Sequence, residues 1–494
     1  MRRRRTIYHN DARHSYLWYF EPPMRLEDAW IPIDEVAGTA VDTFSYCVER
    51  GDGMFYPTKV GKMFSVEDGK AQSAHNYEWR AAACMLSLME RGLDPLQVLI
   101  DRAHEHGMDF IADLRLQRLG LMYPESELEN GGGGWAEERV RDLKFDILHE
   151  LVTEYPTQGV ELDFTAAFGG GKYFYFADGG TPENTATMTE WVRRVSEMVR
   201  SRPEAPGVVG ARIFPTEKGN LDQGLDVRTW LNEGLLDFVV PVAYIYTVLD
   251  PNMPFDWVVG PAHESGASVY GFLQHHLQDE VVGANGRLFP NLEHFRAAAA
   301  NYWEKGVDGL YTWMMDWPLG DAERNILTMI GSPELVRGKD KLYAVSRSYD
   351  GAERFDYRHH LPYDLCPPLP TAAHTIPFTI ADDIAAEDSR VGETKLRIYL
   401  SNVVAGDRFK VALNGRSLAD ETMRRVWKKN RDAYPHTNQR NHWLEFDLVD
   451  IVPHKGENLL EVSLESRPEG LTGNVTIAEV EVEVRHNPYP AGLE

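Results

Sequence analysis

Short apolar runs alternate with longer stretches of helical periodicity over the first two thirds of the chain. Eight runs read as strands: residues 6–10, 43–47, 109–114, 159–164, 208–214, 237–244, 268–274 and 309–314. Between them, apolar residues recur every three or four positions, the spacing of one helix face. Asp94 and Pro95 supply an N-cap and a first-turn proline, Leu96, Leu99, Ile100 and Ala103 form a stripe, and Gly107 stops it. Residues 138–155 carry Val140, Leu143, Ile147, Leu148, Leu151 and Val152 at the same spacing, and residues 182–202 carry Met188, Trp191, Val192, Val195 and Val199. Strand and helix in alternation predict parallel strands joined by crossover helices, and eight such units predict a (β/α)8 barrel over residues 1–330.

The pattern then changes. Residues 331–372 are rich in proline and charge and read as a connector. From 373 to 494, segments 394–400, 409–413, 443–448, 459–464 and 475–484 alternate apolar and polar residues with no helical stretch between them. Asn414-Gly415 is a tight hairpin signal. This predicts an antiparallel β-sandwich.

Hydrophobic content of 43% supports well-packed domains, and a formal net charge of −25 argues against nucleic acid, whose phosphates such a surface repels. Cys47, Cys84 and Cys366 are too sparse for a disulfide frame or a zinc site. The basic start is followed by polar residues rather than the apolar core of an export signal, and no run is long enough to span a membrane. A cytoplasmic protein is expected, with its oligomeric state open, a homo-oligomer included. No phosphate loop, GxGxxG, HExxH or GxSxG motif occurs, so no cofactor and no metal site is expected.

The chemistry concentrates where the strands end. Glu161 and Asp163 occupy alternate positions of one strand and therefore share a face. If that face lines the barrel, both acids point inward, with Asp163 nearer the carboxyl end where barrel enzymes act. Other strand ends add Asp11, Asp113 and Arg115, Arg212 followed by Glu217, Tyr244, His275, and Trp313, Asp316 and Trp317. Long loops at 115–137 and 165–181 contribute Trp135 and a run of aromatics. Carboxylates mixed with aromatic rings suit a sugar, whose C–H faces stack and whose hydroxyls bridge acids and amides. Glycosidic cleavage needs one carboxylate to meet the developing oxocarbenium charge and one acid to protonate the leaving oxygen. Asp163 is the candidate for the first role and Glu217 for the second, with Asp316, Asp113 and Asp11 as rival acids. Arg115, Glu161, Arg212, Tyr244, His275 and Asp316 are expected to hold the sugar, and Trp135, Trp313 and Trp317 to stack on it.

The segment Tyr155 to Phe164, reading YPTQGVELDF, together with Val140-Arg141-Asp142, Asp94-Pro95-Leu96 and the stretch from Gly224 to Asp237, resembles glycosyl-hydrolase-like TIM barrels first described as domains of unknown function. The resemblance covers residues 1–330. It implies a barrel acting on glycosides with Asp163 as the catalytic carboxylate, and an accessory C-terminal sandwich. Glu217 rests on topology alone. Two alternatives remain: a carbohydrate-binding barrel without activity, and a metal-dependent hydrolase or lyase on the same scaffold.

Overall fold

The computed structural model describes residues 5–11, 16–50, 53–117, 124–126, 133–165, 172–203, 206–243, 249–278, 287–313, 315, 317–347, 357, 359–386, 389–429 and 440–489. Eight strands close a parallel barrel: β1 (Thr6–Asp11), β2 (Thr43–Cys47), β3 (Asp109–Arg115), β4 (Gly159–Asp163), β5 (Val208–Ile213), β6 (Phe238–Pro241), β7 (Ser268–Leu273) and β8 (Gly309–Trp313), with each strand beside its sequence neighbour and β8 closing on β1. All eight expected strands are present. Their ends differ from the expected ones by a residue or a few.

Strand alternation sorts side chains into two cores. On β4, Val160 and Leu162 join the cluster packed under the helices, while Glu161 and Asp163 face the barrel axis with Arg212. Ile7, Ile111, Phe238, Val240, Tyr270, Phe272, Tyr311 and Trp313 form a separate buried cluster inside the barrel. Gly210 of β5 gives room to that interior, since a Cβ there would fall 1.9 Å from the Phe238 ring.

The crossover helices follow the expected signals. Asp94 caps the helix Pro95–Glu105 by accepting from the Leu96 and Gln97 amides at 2.8 and 3.2 Å, and the Tyr155 hydroxyl donates to the other Asp94 oxygen at 2.8 Å. The helices Glu138–Glu154 and Pro182–Arg200 bury the predicted stripes, apart from Leu143, which is half-buried.

After the barrel come two antiparallel sheets. One is ordered Lys341–Ala344, Val475–His486, Val391–Ser401, Arg440–Asp447, Met423–Lys429, with Tyr363–Leu365 also on Val475–His486. The other is ordered His374–Ile380, Gly456–Ser466, Arg408–Leu413, Arg416–Ser417. Both contribute to one buried cluster that includes Ile376, Ile398, Val411, Leu444, Val462 and Val482, so the unit is a sandwich. Asn414 (φ 53°) and Gly415 (φ 76°) form the predicted tight turn, with Leu413 opposite Arg416. Two strands within 331–372 pair with the last strand of this sandwich. The barrel helix Leu292–Glu304 packs against the sandwich: Asn301 donates to the carbonyl of Thr379 at 2.8 Å, and Ala297 belongs to the sandwich core.

Candidate functional site

Arg212, on β5, is the centre of the polar part of the barrel interior. Its Nη2 lies 2.5 Å from Asp163 Oδ2 and 3.0 Å from Asp113 Oδ2, and its Nε lies 3.1 Å from Glu161 Oε1. All four side chains are buried. Register explains the convergence: Asp113 stands opposite Glu161 on β3 and β4, and Asp163 opposite Arg212 on β4 and β5. The second Asp163 oxygen accepts from both the amide and the hydroxyl of Thr165 at 2.9 Å. Tyr311 donates to Glu161 Oε1 at 2.8 Å. Around the ring, Asp11 pairs with Arg115 at 2.6 Å.

His9, on β1, completes the cluster. Its Nδ1 is 3.2 Å from Ser45 Oγ and its Nε2 is 3.9 Å from Asp113 Oδ2. One donor atom each from His9, Asp113 and Glu161 lie within 4.8 Å of one another.

The electrostatics follow from crowding in a dry interior. Burial pushes the Asp113 carboxyl well above the usual carboxylate range, against the pull of Arg212, and Asp163 and Glu161 add repulsion. Burial also raises Glu161 to about 7, with Arg212 and the Tyr311 hydroxyl opposing. The Arg212 guanidinium loses stability through burial but gains more from Asp113 and Asp163, so it stays firmly charged.

The structure therefore brings together Asp163, Glu161, Asp113 and Arg212, with Arg115 and Asp11 as a neighbouring pair. Glu217 is not joined to them by any described contact. It opens the short helix Glu217–Asp222, and its carboxylate is held 2.6 Å from the Arg228 Nε, at a position more than a third exposed. The hydrogen bond from Arg228 keeps its pKa below the usual range.

The aromatic expectations divide. Trp135 is fully enclosed, packed edge-on to Tyr175 and Trp191 with ring centroids 5.9 and 4.8 Å away, and its indole N–H donates to the Leu116 carbonyl at 3.0 Å. No face is left for a sugar, and a wall-packing role replaces the stacking one. Trp313 lies in the barrel interior with its N–H on Gln274 at 3.1 Å and its ring against His275 and Phe272. Trp317 stacks on the exposed ring of Tyr19 at 4.6 Å. His275 is buried, its ring 3.8 Å from that of His276. Tyr244 and Asp316 lie outside the described residues.

The sequence reading assigned no role to Ser45, Tyr311, Thr165 or His9. Tyr311 was accessible in principle, standing two residues before Trp313 on the same strand and so on the same face.

No protein-family model matches the chain, and no curated protein sequence matches it. Among solved structures it is similar to a cycloisomaltooligosaccharide glucanotransferase of Paenibacillus sp. (12% identity, TM-score 0.36, covering 97% of this chain and 57% of that one). It is also similar to alpha-L-fucosidase isoenzyme 2 of Paenibacillus thiaminolyticus (13%, 0.42, 67% and 48%) and to an alpha-L-fucosidase GH29 of Bacteroides thetaiotaomicron (10%, 0.38, 95% and 94%). The chain thus spans about half the length of the first two. At such identities and scores the likeness assigns no activity, and the barrel stands on its own strand pairing.

Proposed function

We propose that this chain hydrolyses glycosidic bonds, with Asp163 as the carboxylate that meets positive charge on the sugar ring. The observation that carries this reading is the convergence of three buried carboxylates on one guanidinium at the carboxyl end of the barrel strands. Such an excess of buried negative charge weakens a fold unless something positive is to be met there. An oxocarbenium-like transition state is such a partner, and preorganised charge in a water-poor site acts on it more strongly than charge in water. Thr165 and Arg212 fix the Asp163 carboxylate, so little reorganisation is needed during reaction.

Glu217 remains the proposed proton donor. Its pair with Arg228 is solvent-exposed and contributes no more than about 1 kcal/mol. A substrate that displaces Arg228 and dries the carboxyl removes the present cause of its low pKa. The Tyr19–Trp317 stack is the proposed aromatic platform, and an oligosaccharide the proposed substrate.

The test is a panel of aryl glycosides, oligosaccharides and aryl esters offered to the wild-type protein. Turnover of at least one glycoside supports the reading. Ester hydrolysis with every glycoside untouched overturns it.

A further inference from the structure

Three side chains of the cluster are oriented in a way that the glycosidic reading does not use. The His9 ring is fixed through Nδ1 by Ser45, Glu161 through Oε1 by Tyr311 and Arg212, and Asp113 through Oδ2 by Arg212. This resembles the outer support found around metal ligands, where a second group hydrogen-bonds each ligand and sets its direction. His9 Nε2 lies 3.9 Å from Asp113 Oδ2, and one donor atom of each of the three residues lies within 4.8 Å of the others. With both carboxyls ionised, Asp113 Oδ1 and Glu161 Oε2 are buried and accept no hydrogen bond.

Charge points the same way. Among the described residues, Asp11, Asp113, Glu161 and Asp163 share this part of the barrel with the guanidiniums of Arg115 and Arg212, four acids to two fixed cations. We propose that His9, Asp113 and Glu161 bind a divalent transition-metal cation between them, with Ser45, Tyr311 and Arg212 as its outer supports.

One imidazole nitrogen and two carboxylate oxygens suit zinc, manganese or cobalt better than calcium, which takes an all-oxygen shell. The donor atoms, within 4.8 Å of one another, need to close by only about an ångström to share one ion with bonds near 2.1 Å. The site lies two residues deeper on β4 than Asp163, so the cation and the proposed catalytic carboxylate occupy different levels of the barrel.

The experiment uses the full chain, stripped with chelator and titrated with Co2+ and Zn2+. The readouts are visible Co2+ absorption, calorimetry and metal content after desalting. The expected result is one equivalent of Co2+ per chain, displaced by Zn2+, with a rise in unfolding temperature. His9→Asn and Asp113→Asn abolish the Co2+ spectrum. Ser45→Ala, which leaves every ligand in place, weakens binding by about tenfold. Folding of each variant is checked by circular dichroism, and the wild-type titration stands even if a variant fails to fold. Wild-type protein that is folded yet binds no stoichiometric Co2+ or Zn2+ overturns the proposal and leaves a proton shared between Asp113 and Glu161 as the neutralising partner. Undiminished binding by His9→Asn overturns it too. Neither readout depends on turnover, so the glycosidic reading is judged separately.

Discussion

Arg212 Nη2 sits 2.5 Å from Asp163 Oδ2 across adjacent strands, with both side chains buried. The pair is the contact through which the barrel fixes its proposed catalytic carboxylate, and the same guanidinium also reaches Asp113 and Glu161.

Removing Arg212 leaves three carboxylates without their shared cation. Breaking a buried pair by deleting one partner costs about 3–5 kcal/mol, less whatever protonation recovers. Arg212→Ala is therefore expected to lose most of that in urea unfolding. Arg212→Lys restores charge but not the planar fork that reaches three acids at once, so it is expected to fold and to lose turnover. Stability of Arg212→Ala within about 1 kcal/mol of wild type contradicts the role.

The Glu217 assignment has its own test. If it donates the proton, Glu217→Gln lowers kcat by about 10² to 10⁴ for substrates with poor leaving groups, and much less for activated aryl glycosides. Equal turnover of both substrate classes by the variant returns Glu217 to a surface ion pair with Arg228.

The two tryptophans that part ways in the structure should part ways by measurement. Trp135→Ala opens a cavity between Tyr175 and Trp191 and is expected to cost about 3–5 kcal/mol of stability. Trp317→Ala unstacks an exposed Tyr19 and is expected to raise KM with little change in unfolding temperature. An unchanged KM removes the platform from the account.

Away from the cluster, burial raises the Glu35 carboxyl to about 8, with the Trp317 indole opposing. A group whose pKa is higher folded than unfolded binds more protons in the native state. Its stabilisation is thus complete below the ordinary value of 4.5 and is lost as pH rises through about 8. Between those limits wild type should lose stability with rising pH more steeply than Glu35→Gln. Parallel curves for the two proteins contradict this.

Much of the architecture was legible because it is written locally. The period-two runs of β1 to β8 and the stripes of the helices Glu138–Glu154 and Pro182–Arg200 depend on residues a few positions apart. The inward pairing of Glu161 and Asp163 followed from the same alternation. What escaped depends on cross-chain register. Nothing near Trp135 announces that Trp191 and Tyr175 close over it, and nothing near Glu217 announces that the helix Val227–Asn232 turns Arg228 back onto it. The meeting of His9 with Asp113 and Glu161 likewise needs β1, β3 and β4 aligned in a closed ring.

The most direct test of the central assignment is kcat/KM of Asp163→Asn on a glycoside that the wild type cleaves, measured beside its unfolding temperature. The account predicts a fall of about a thousandfold or more in a protein at least as stable as wild type, because one of three crowded negative charges has gone. Cleavage at the wild-type rate by the folded variant would contradict it.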